Sequence, residues 1–232
     1  LPAEIAADRG RHVAVVFDEF QEVVNLDRTL PNVMRWMFQT QPQVGHVYLG
    51  SRKHTFSSLF NDRNEPFWRS AKQIELGRIP PAELATFVSE RFAATERAID
   101  DDALDRLLEL AAGHPAATQE LAYFTWGEVP LGHAAHRGDV DAALVRVLRS
   151  EHNNLQRLWE SATPNERLVL LALHEERGGV YGEAYRRRHG LPAPASVQRA
   201  VKALTQDDVI ERAADGAWQI AEPFLEEWLE EG

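Results

Sequence analysis

Two carboxylates stand side by side at the end of an apolar run. The segment VAVVFDEF, residues 13–20, delivers Asp18 and Glu19 directly after Val13, Val15, Val16 and Phe17. An unbroken apolar run reads as a strand buried on both faces, and the carboxyl end of such a strand is where parallel α/β sheets open their ligand crevice. Successive strand side chains point opposite ways. Asp18 can therefore hold the water shell of Mg2+ while Glu19 polarises an attacking water, which is the division of labour in metal-assisted phosphoryl hydrolysis. An acidic loop closing an ordinary buried strand accounts for the same eight residues.

A nucleoside triphosphate also needs a cradle. The usual one is G-x-x-x-x-G-K-[ST], whose backbone amides, lysine and hydroxyl hold the phosphates and Mg2+. No segment of the chain supplies it. The nearest match, GHVYLGSR at residues 45–52, puts Ser51 and Arg52 where Lys and Ser/Thr are required, and Val44, Val47, Tyr48 and Leu49 make it a strand running into a loop. By itself the chain is expected neither to hydrolyse ATP nor to hold it tightly.

Composition narrows the classes. The 232 residues exceed a typical single domain, so two or three units are expected, and 44% hydrophobic content is ample for packed cores. The absence of cysteine excludes disulfide frameworks, thiolate metal sites and cysteine nucleophiles. There is no signal peptide and no apolar span long enough for a membrane, and the chain starts at Leu1 rather than Met. These features suit a soluble, cytoplasmic protein, open to truncation at its front. A net charge of -11 opposes indiscriminate nucleic-acid binding, so such a role requires a local basic surface.

The order of segments carries more than any one of them. VAVVFDEFQEV is followed by a stretch with helical spacing (Val33, Trp36, Met37), then by VYLGSRKHTFSSLF and FWRSAKQIELGRIPPAEL. This order resembles the archaeal-type ATPase family of the AAA+/STAND P-loop class, specifically the portion that follows the Walker A segment. The resemblance implies ATP and Mg2+ as cofactors, Asp18 and Glu19 as the Walker B pair, and Ser51 as the polar sensor on the neighbouring strand. It also implies a nucleotide-sensing role for Arg69, just ahead of a last core strand at residues 73–76. Trp68 departs from the small residue usual before that arginine. The alternative is a surface arginine stacked on Phe67 or Trp68.

After Ile79 the periodicity turns helical. Pro80-Pro81 opens a helix carrying Leu84, Phe87, Val88 and Phe92, and the acidic residues 100–102 cap another carrying Leu104, Leu107, Leu108 and Ala111 before Gly113. GHPAATQELAYF resembles the G-x-P step of STAND ATPases, which makes His114 and Pro115 candidate nucleotide contacts in a helical lid. A glycine stop followed by a proline helix start explains them locally. His133 and His136 of GHAAH can share a helix face, but no third ligand stands near for zinc. No G-x-S-x-G elbow supports a serine hydrolase.

The last third carries the clearest local signals. Thr163-Pro164-Asn165-Glu166 reads as a capping box with proline at the first helical position, with Leu168, Leu171 and Ala172 as its buried stripe. A second helix spans about residues 181–189, and a third carries Val197, Ala200, Val201 and Leu204. Asp215-Gly216 then turns a hairpin between residues 209–212 and 218–220. Three helices and a hairpin make a winged helix-turn-helix, and TPNERLVLLAL, LPAPASVQRAVKAL and AEPFLEEWL resemble the C-terminal module of the same family. The exposed face of the third helix would show Ser196, Arg199, Lys202 and Gln206 to double-stranded DNA, beside a basic strip at Arg186, Arg187 and Arg188. Against this, the module is acidic as a whole through its final helix, and many winged helices serve only as packing or autoinhibitory modules; a protein partner or self-association stays open.

The expected fold is thus α/β. A partial P-loop core at residues 1–79 precedes a helical lid at 80–150 and a winged helix at 151–232. Two functional classes follow: a nucleotide-dependent switch, or a DNA-binding or protein-interaction adaptor with an incomplete ATPase core.

Overall fold

The computed structural model describes residues 1–51, 53–213 and 215–231, so Arg52 of the glycine-spaced segment lies outside the described residues. The chain divides into two compact units, one of Leu1–Ile74 with Thr205–Asp208 and the other of Glu75–Leu204 with Val209–Gly232.

The first unit runs α1 (Pro2–Arg9), β1 (Val13–Phe17), a 3-10 turn (Phe20–Glu22), α2 (Val23–Leu26), α3 (Leu30–Gln39), β2 (Val44–Tyr48) and α4 (Lys53–Asn61). β1 and β2 pair in parallel, in register from Val13 opposite Val44 to Phe17 opposite Tyr48. Parallel pairing requires a crossover between the strands, and α2 and α3 supply it. Phe17 and Tyr48 project into a core with Phe20, Phe38, Phe60 and Phe67, where Phe20 meets Phe67 edge-on at 5.1 Å between ring centres.

The expectation that β1 is buried on both faces is not met. Val16 is 58% and Val47 45% exposed, so only one face of this sheet is covered. The helix expected from Val33, Trp36 and Met37 is present as α3, but these three residues are exposed, and Leu30, Met34 and Phe38 pack inward instead. α3 is apolar on two sides, so spacing alone selects the wrong one.

Residues 73–76 form no strand. A strand must pair its amides and carbonyls with a neighbour, and among the described residues β1 and β2 pair only with each other. Gln73 is tied instead to Asn61 by two reciprocal amide hydrogen bonds of 3.0 and 3.2 Å.

The second unit opens with α5 (Pro81–Ala93), β3 (Ala98–Ile99), α6 (Asp101–Ala111), α7 (Pro115–Glu128), β4 (Ala134–Ala135) and α8 (Arg137–Ser161). It closes with α9 (Pro164–Glu175), α10 (Glu183–Arg188), α11 (Pro194–Gln206), β5 (Ile210–Arg212), β6 (Trp218–Ile220) and α12 (Leu225–Glu231). The expected boundary after residue 150 falls inside α8, a continuous helix of 25 residues. One apolar core runs from Val88 and Leu121 through Val147 and Leu155 to Leu170 and Ile210. His133 and His136 do not share a helix face, because residues 134 and 135 form β4 in parallel with β3. His136 faces Asp100 across 2.5 Å.

Local signals place the winged helix. Thr163 N–H donates to Glu166 Oε2 at 2.8 Å and Glu166 N–H to Thr163 Oγ1 at 3.4 Å, closing the capping box at the start of α9. β5 and β6 are antiparallel, Ile210 opposite Ile220, and Gly216 takes the positive φ of 83° that the turn requires. Gly178 adds a bridge to Trp218. Tyr185 donates its hydroxyl to the carbonyls of Ala172 and Glu176, joining α10 to the end of α9, and burial pushes its phenol up to about 12.

The stripe expected on α9 is rotated. Leu168 and Leu171 are exposed, while Val169, Leu170, Ala172 and Leu173 are buried. Adjacent leucines should therefore differ sharply. Leu170→Ala, at a fully buried site, should cost roughly 2–5 kcal/mol, whereas Leu171→Ala at 40% exposure should cost under about 1 kcal/mol. Urea denaturation of the two variants checks this, and equal costs would restore the face expected from the sequence.

Candidate functional site

Pairing beyond the end of β1 brings the candidate residues together. Leu49 N–H donates to the Phe17 carbonyl at 2.8 Å and Phe20 N–H to the Leu49 carbonyl at 2.9 Å, so the two chain segments stay side by side past the strands. Asp18 Oδ1 accepts the Glu19 amide at 2.9 Å. Glu19 itself is left-handed, at φ 48° and ψ 41°. Both carboxylates thus lie past the end of β1, in a turn, and not on the alternating strand positions expected from the sequence. A non-glycine residue in this region costs roughly 1–3 kcal/mol, and such strain gathers at functional sites.

The turn aims Glu19 at its neighbours. Ser51 Oγ donates to Glu19 Oε2 at 2.9 Å, and Gln21 Nε2 donates to the same oxygen. Asp18, Glu19 and Ser51 are exposed, while Gln21 is only 1% exposed. Two exposed carboxylates at this end of the strands can take a hydrated Mg2+ and an attacking water. The Ser51 hydroxyl, bonded to one of them, can respond to a change at that oxygen.

Gln21 is the residue that sequence reasoning missed. Nothing in its type or spacing marks it, since the positive φ at Glu19 is what brings the two side chains together. Among the described residues, the buried Gln21 Oε1 atom has no hydrogen-bond partner. It lies against Gly50, where a Cβ would collide with Gln21 Oε1 and the Phe56 ring. Glycine is needed at position 50 for this approach of the two segments.

Arg69 is not part of the hydrogen-bonded group. Its N–H donates to the Phe60 carbonyl at 2.9 Å, its guanidinium lies 5.1 Å from the Trp68 ring centre, and its φ is 51°. The stacked surface arginine describes what the geometry shows.

His114 and Pro115 belong to the second unit. His114 is the N-cap of α7, its Nδ1 accepting the Ala117 amide at 3.3 Å, and Pro115 occupies the first helical position. Burial foremost, and then the Arg78 charge, hold the imidazole below the usual histidine range. That matches a ring nitrogen acting as acceptor. Gly113, at φ 77°, would put a Cβ 2.9 Å from the Ile79 carbonyl. The glycine stop and proline start therefore have a full local explanation.

On the winged helix, Val197, Ala200, Val201 and Leu204 are buried, and Arg199, Lys202 and Gln206 lie on the outward side with Ser196. The adjoining strip is less basic than its composition. Arg187 pairs with Glu183 at 2.6 Å and Arg188 with Glu176 at 2.5 Å. Arg186 is engaged by backbone, reaching the Tyr181 carbonyl at 3.3 Å. Arg199 donates to Ser196 Oγ at 3.3 Å, and neither it nor Lys202 joins an ion pair among the described residues.

Comparisons with known proteins agree with this architecture. Residues 153–231 match a family described as a probable winged helix domain. A Walker-type ATPase of Pyrococcus abyssi superposes with a TM-score of 0.74 at 14% identity, covering 99% of this chain and 66% of that one. The ORC2 protein of Aeropyrum pernix (TM-score 0.43, 14% identity, 99% and 66% covered) and the RuvB Holliday junction branch migration motor of Thermotoga maritima (0.48, 18%, 99% and 75%) are weaker structural matches. No curated protein sequence matches. The chain thus has an AAA+-like α/β fold ending in a winged helix, and spans about two thirds of the archaeal ATPase's length. No helix among the described residues is long and apolar enough to cross a membrane.

The close approach at Gly50 is directly testable. Gly50→Ala should destabilise the chain by roughly 1–3 kcal/mol through overpacking. Gly45→Ala on β2, where the added atom meets only a backbone oxygen at 3.8 Å, should be neutral or better. Thermal unfolding of both variants gives the comparison, and a neutral Gly50→Ala would mean that the approach relaxes freely.

Proposed function

We propose that this chain is the part of an ATP-driven switch that follows the phosphate-binding segment. In this reading Asp18 holds the hydration shell of Mg2+, Glu19 polarises the attacking water and Ser51 couples to it from the neighbouring segment. The observation that carries the proposal is the hydrogen bond from Ser51 to the Glu19 carboxylate at the carboxyl end of a parallel strand pair. The likeness in fold to a Walker-type ATPase supports it. When bound, Mg2+ and ATP would supply the electrophilic phosphorus and the charge screening around it. The chain's own residues orient the water and report on it. Nucleotide state would then bias the position of the helical and winged parts.

Glu19 decides this reading. In a full-length protein carrying a phosphate loop, Glu19→Gln should retain ATP binding yet lower turnover by about 10^2-fold or more, because water activation goes while the Mg2+ shell stays. Asp18→Ala should weaken Mg-nucleotide binding instead. Wild-type turnover in Glu19→Gln would remove Glu19 as the base.

A second reading is favoured by one observation: Arg199 and Lys202 on α11 are outward-facing and join no ion pair among the described residues. As a duplex-binding adaptor the chain would use these two cations, since Arg187 and Arg188 are already neutralised by Glu183 and Glu176. Binding to random duplex should be weak, on the order of 10^-5 M, and should fall steeply with salt. Anisotropy titrations of the whole chain at two salt concentrations, with Arg199→Glu beside the wild type, test it. Binding that survives Arg199→Glu would leave α11 a packing or protein-contact helix.

A further inference from the structure

Arg78 does more than its place in a connecting segment suggests. Its side chain is 29% exposed, and its guanidinium reaches three separate pieces of the second unit. Nε and Nη2 both donate to Glu211 Oε1 on β5, at 3.1 and 2.8 Å. Nη2 also donates to the Ala221 carbonyl just beyond β6 at 3.2 Å. Nη1 reaches the Ala112 carbonyl, in the turn between α6 and α7, at 3.4 Å. The neighbouring backbone adds a fourth tie, with Ile79 N–H donating to the Gly113 carbonyl at 3.0 Å.

The partners are themselves held. Gln219 on β6 donates to Glu211 Oε1 at 3.2 Å, so the acceptor is fixed by both strands of the wing. Ala112 and Gly113 are left-handed, at φ 46° and 77°, and turn their carbonyls toward residues 78 and 79. Gly113 approaches that segment too closely for any side chain. His114 follows immediately. Only arginine offers several forked donors with a permanent charge, and a lysine could not reach all these acceptors at once.

We propose that Arg78 is a positioning residue that clamps the wing of the winged helix to the turn preceding α7, so that the His114 step and the β5–β6 hairpin move as one body. Each of its acceptors belongs to an element that packs elsewhere by apolar contact, and the guanidinium is what joins them through polar bonds. A displacement of the His114 turn is therefore delivered to the hairpin through Glu211, and a displacement of the hairpin returns by the same path. The proposal does not depend on nucleotide hydrolysis.

The clamp has a two-directional signature. Arg78 lowers the His114 titration midpoint and Glu211 raises it. In the whole chain, Arg78→Met should move the His114 midpoint up and Glu211→Gln should move it down, read from the imidazole proton resonances. Arg78→Met should also speed amide exchange together in residues 112–118, 209–213 and 215–221, by about tenfold, as expected for loss of a charged hydrogen bond between them. Arg78→Lys should not restore the slow exchange. If Arg78→Met fails to fold, Glu211→Met carries the same test, since it removes both the charge and the acceptor of Nε and Nη2. An unmoved His114 midpoint, or faster exchange in one segment only, overturns the clamp.

Discussion

Parallel pairing of β1 with β2 is the constraint on which the polar group of the first unit rests. With Phe17 opposite Tyr48, the chain that leaves β1 meets the chain that leaves β2 at the level of Glu19 and Ser51. A slip of one residue would turn Phe17 and Tyr48 out of the aromatic core and carry Ser51 away from the carboxylate. The register is therefore stabilised by aromatic burial, with Phe20, Phe60 and Phe67 closing over the same rings. Packing on one face of the sheet and the polar group at its end are two results of a single alignment.

The second unit depends on a different device. α8 is long enough to pack against α6 and α7 near its start and against α12 near its end. Val140, Ala143 and Val147 of the helical part and Leu155, within the stretch matched to a winged helix, all belong to one apolar core. A continuous helix transmits rotation and translation along its length without a hinge. The polar clamp at Arg78 adds a second tie between the same two parts, remote in sequence from α8 and of different chemistry. With both in place, the winged helix is an extension of the helical part rather than a tethered appendage.

How much of this is legible in the sequence depends on how local the cause is. The capping box at Thr163, the turn at Gly216 and the inward face of α11 need only near neighbours, and each stands where its residues indicate. β1 and β2 are likewise readable as strands. The faces of α3 and α9 are not, because both helices carry large apolar residues on two sides and only tertiary packing chooses between them. The strand expected at residues 73–76 requires a partner that its own residues cannot specify. Gln21 is hidden for a further reason: its approach to Glu19 follows from a left-handed backbone at a residue type that rarely adopts it.

Charge on the winged helix shows the same dependence on tertiary structure. Counted along the chain, Arg186 to Arg188 with Arg199 and Lys202 form a basic strip. In the fold, Glu176 and Glu183 neutralise two of them, and Arg188 with His189 holds the Glu176 carboxyl below its usual range. The acidic α12 moves the other way. Burial pushes the half-buried Glu227 above the usual carboxylate range, which opposes the docking of this helix, while Glu226 stays exposed. Leu225, fully buried, with Trp228 and Leu229 against the same core, offsets that penalty through apolar contact. A helix held by its apolar side despite its charges leaves an acidic surface at the chain's end, and that surface opposes phosphate wherever its field reaches. On α11 the balance is different, since Arg199 and Lys202 have no acidic partner among the described residues.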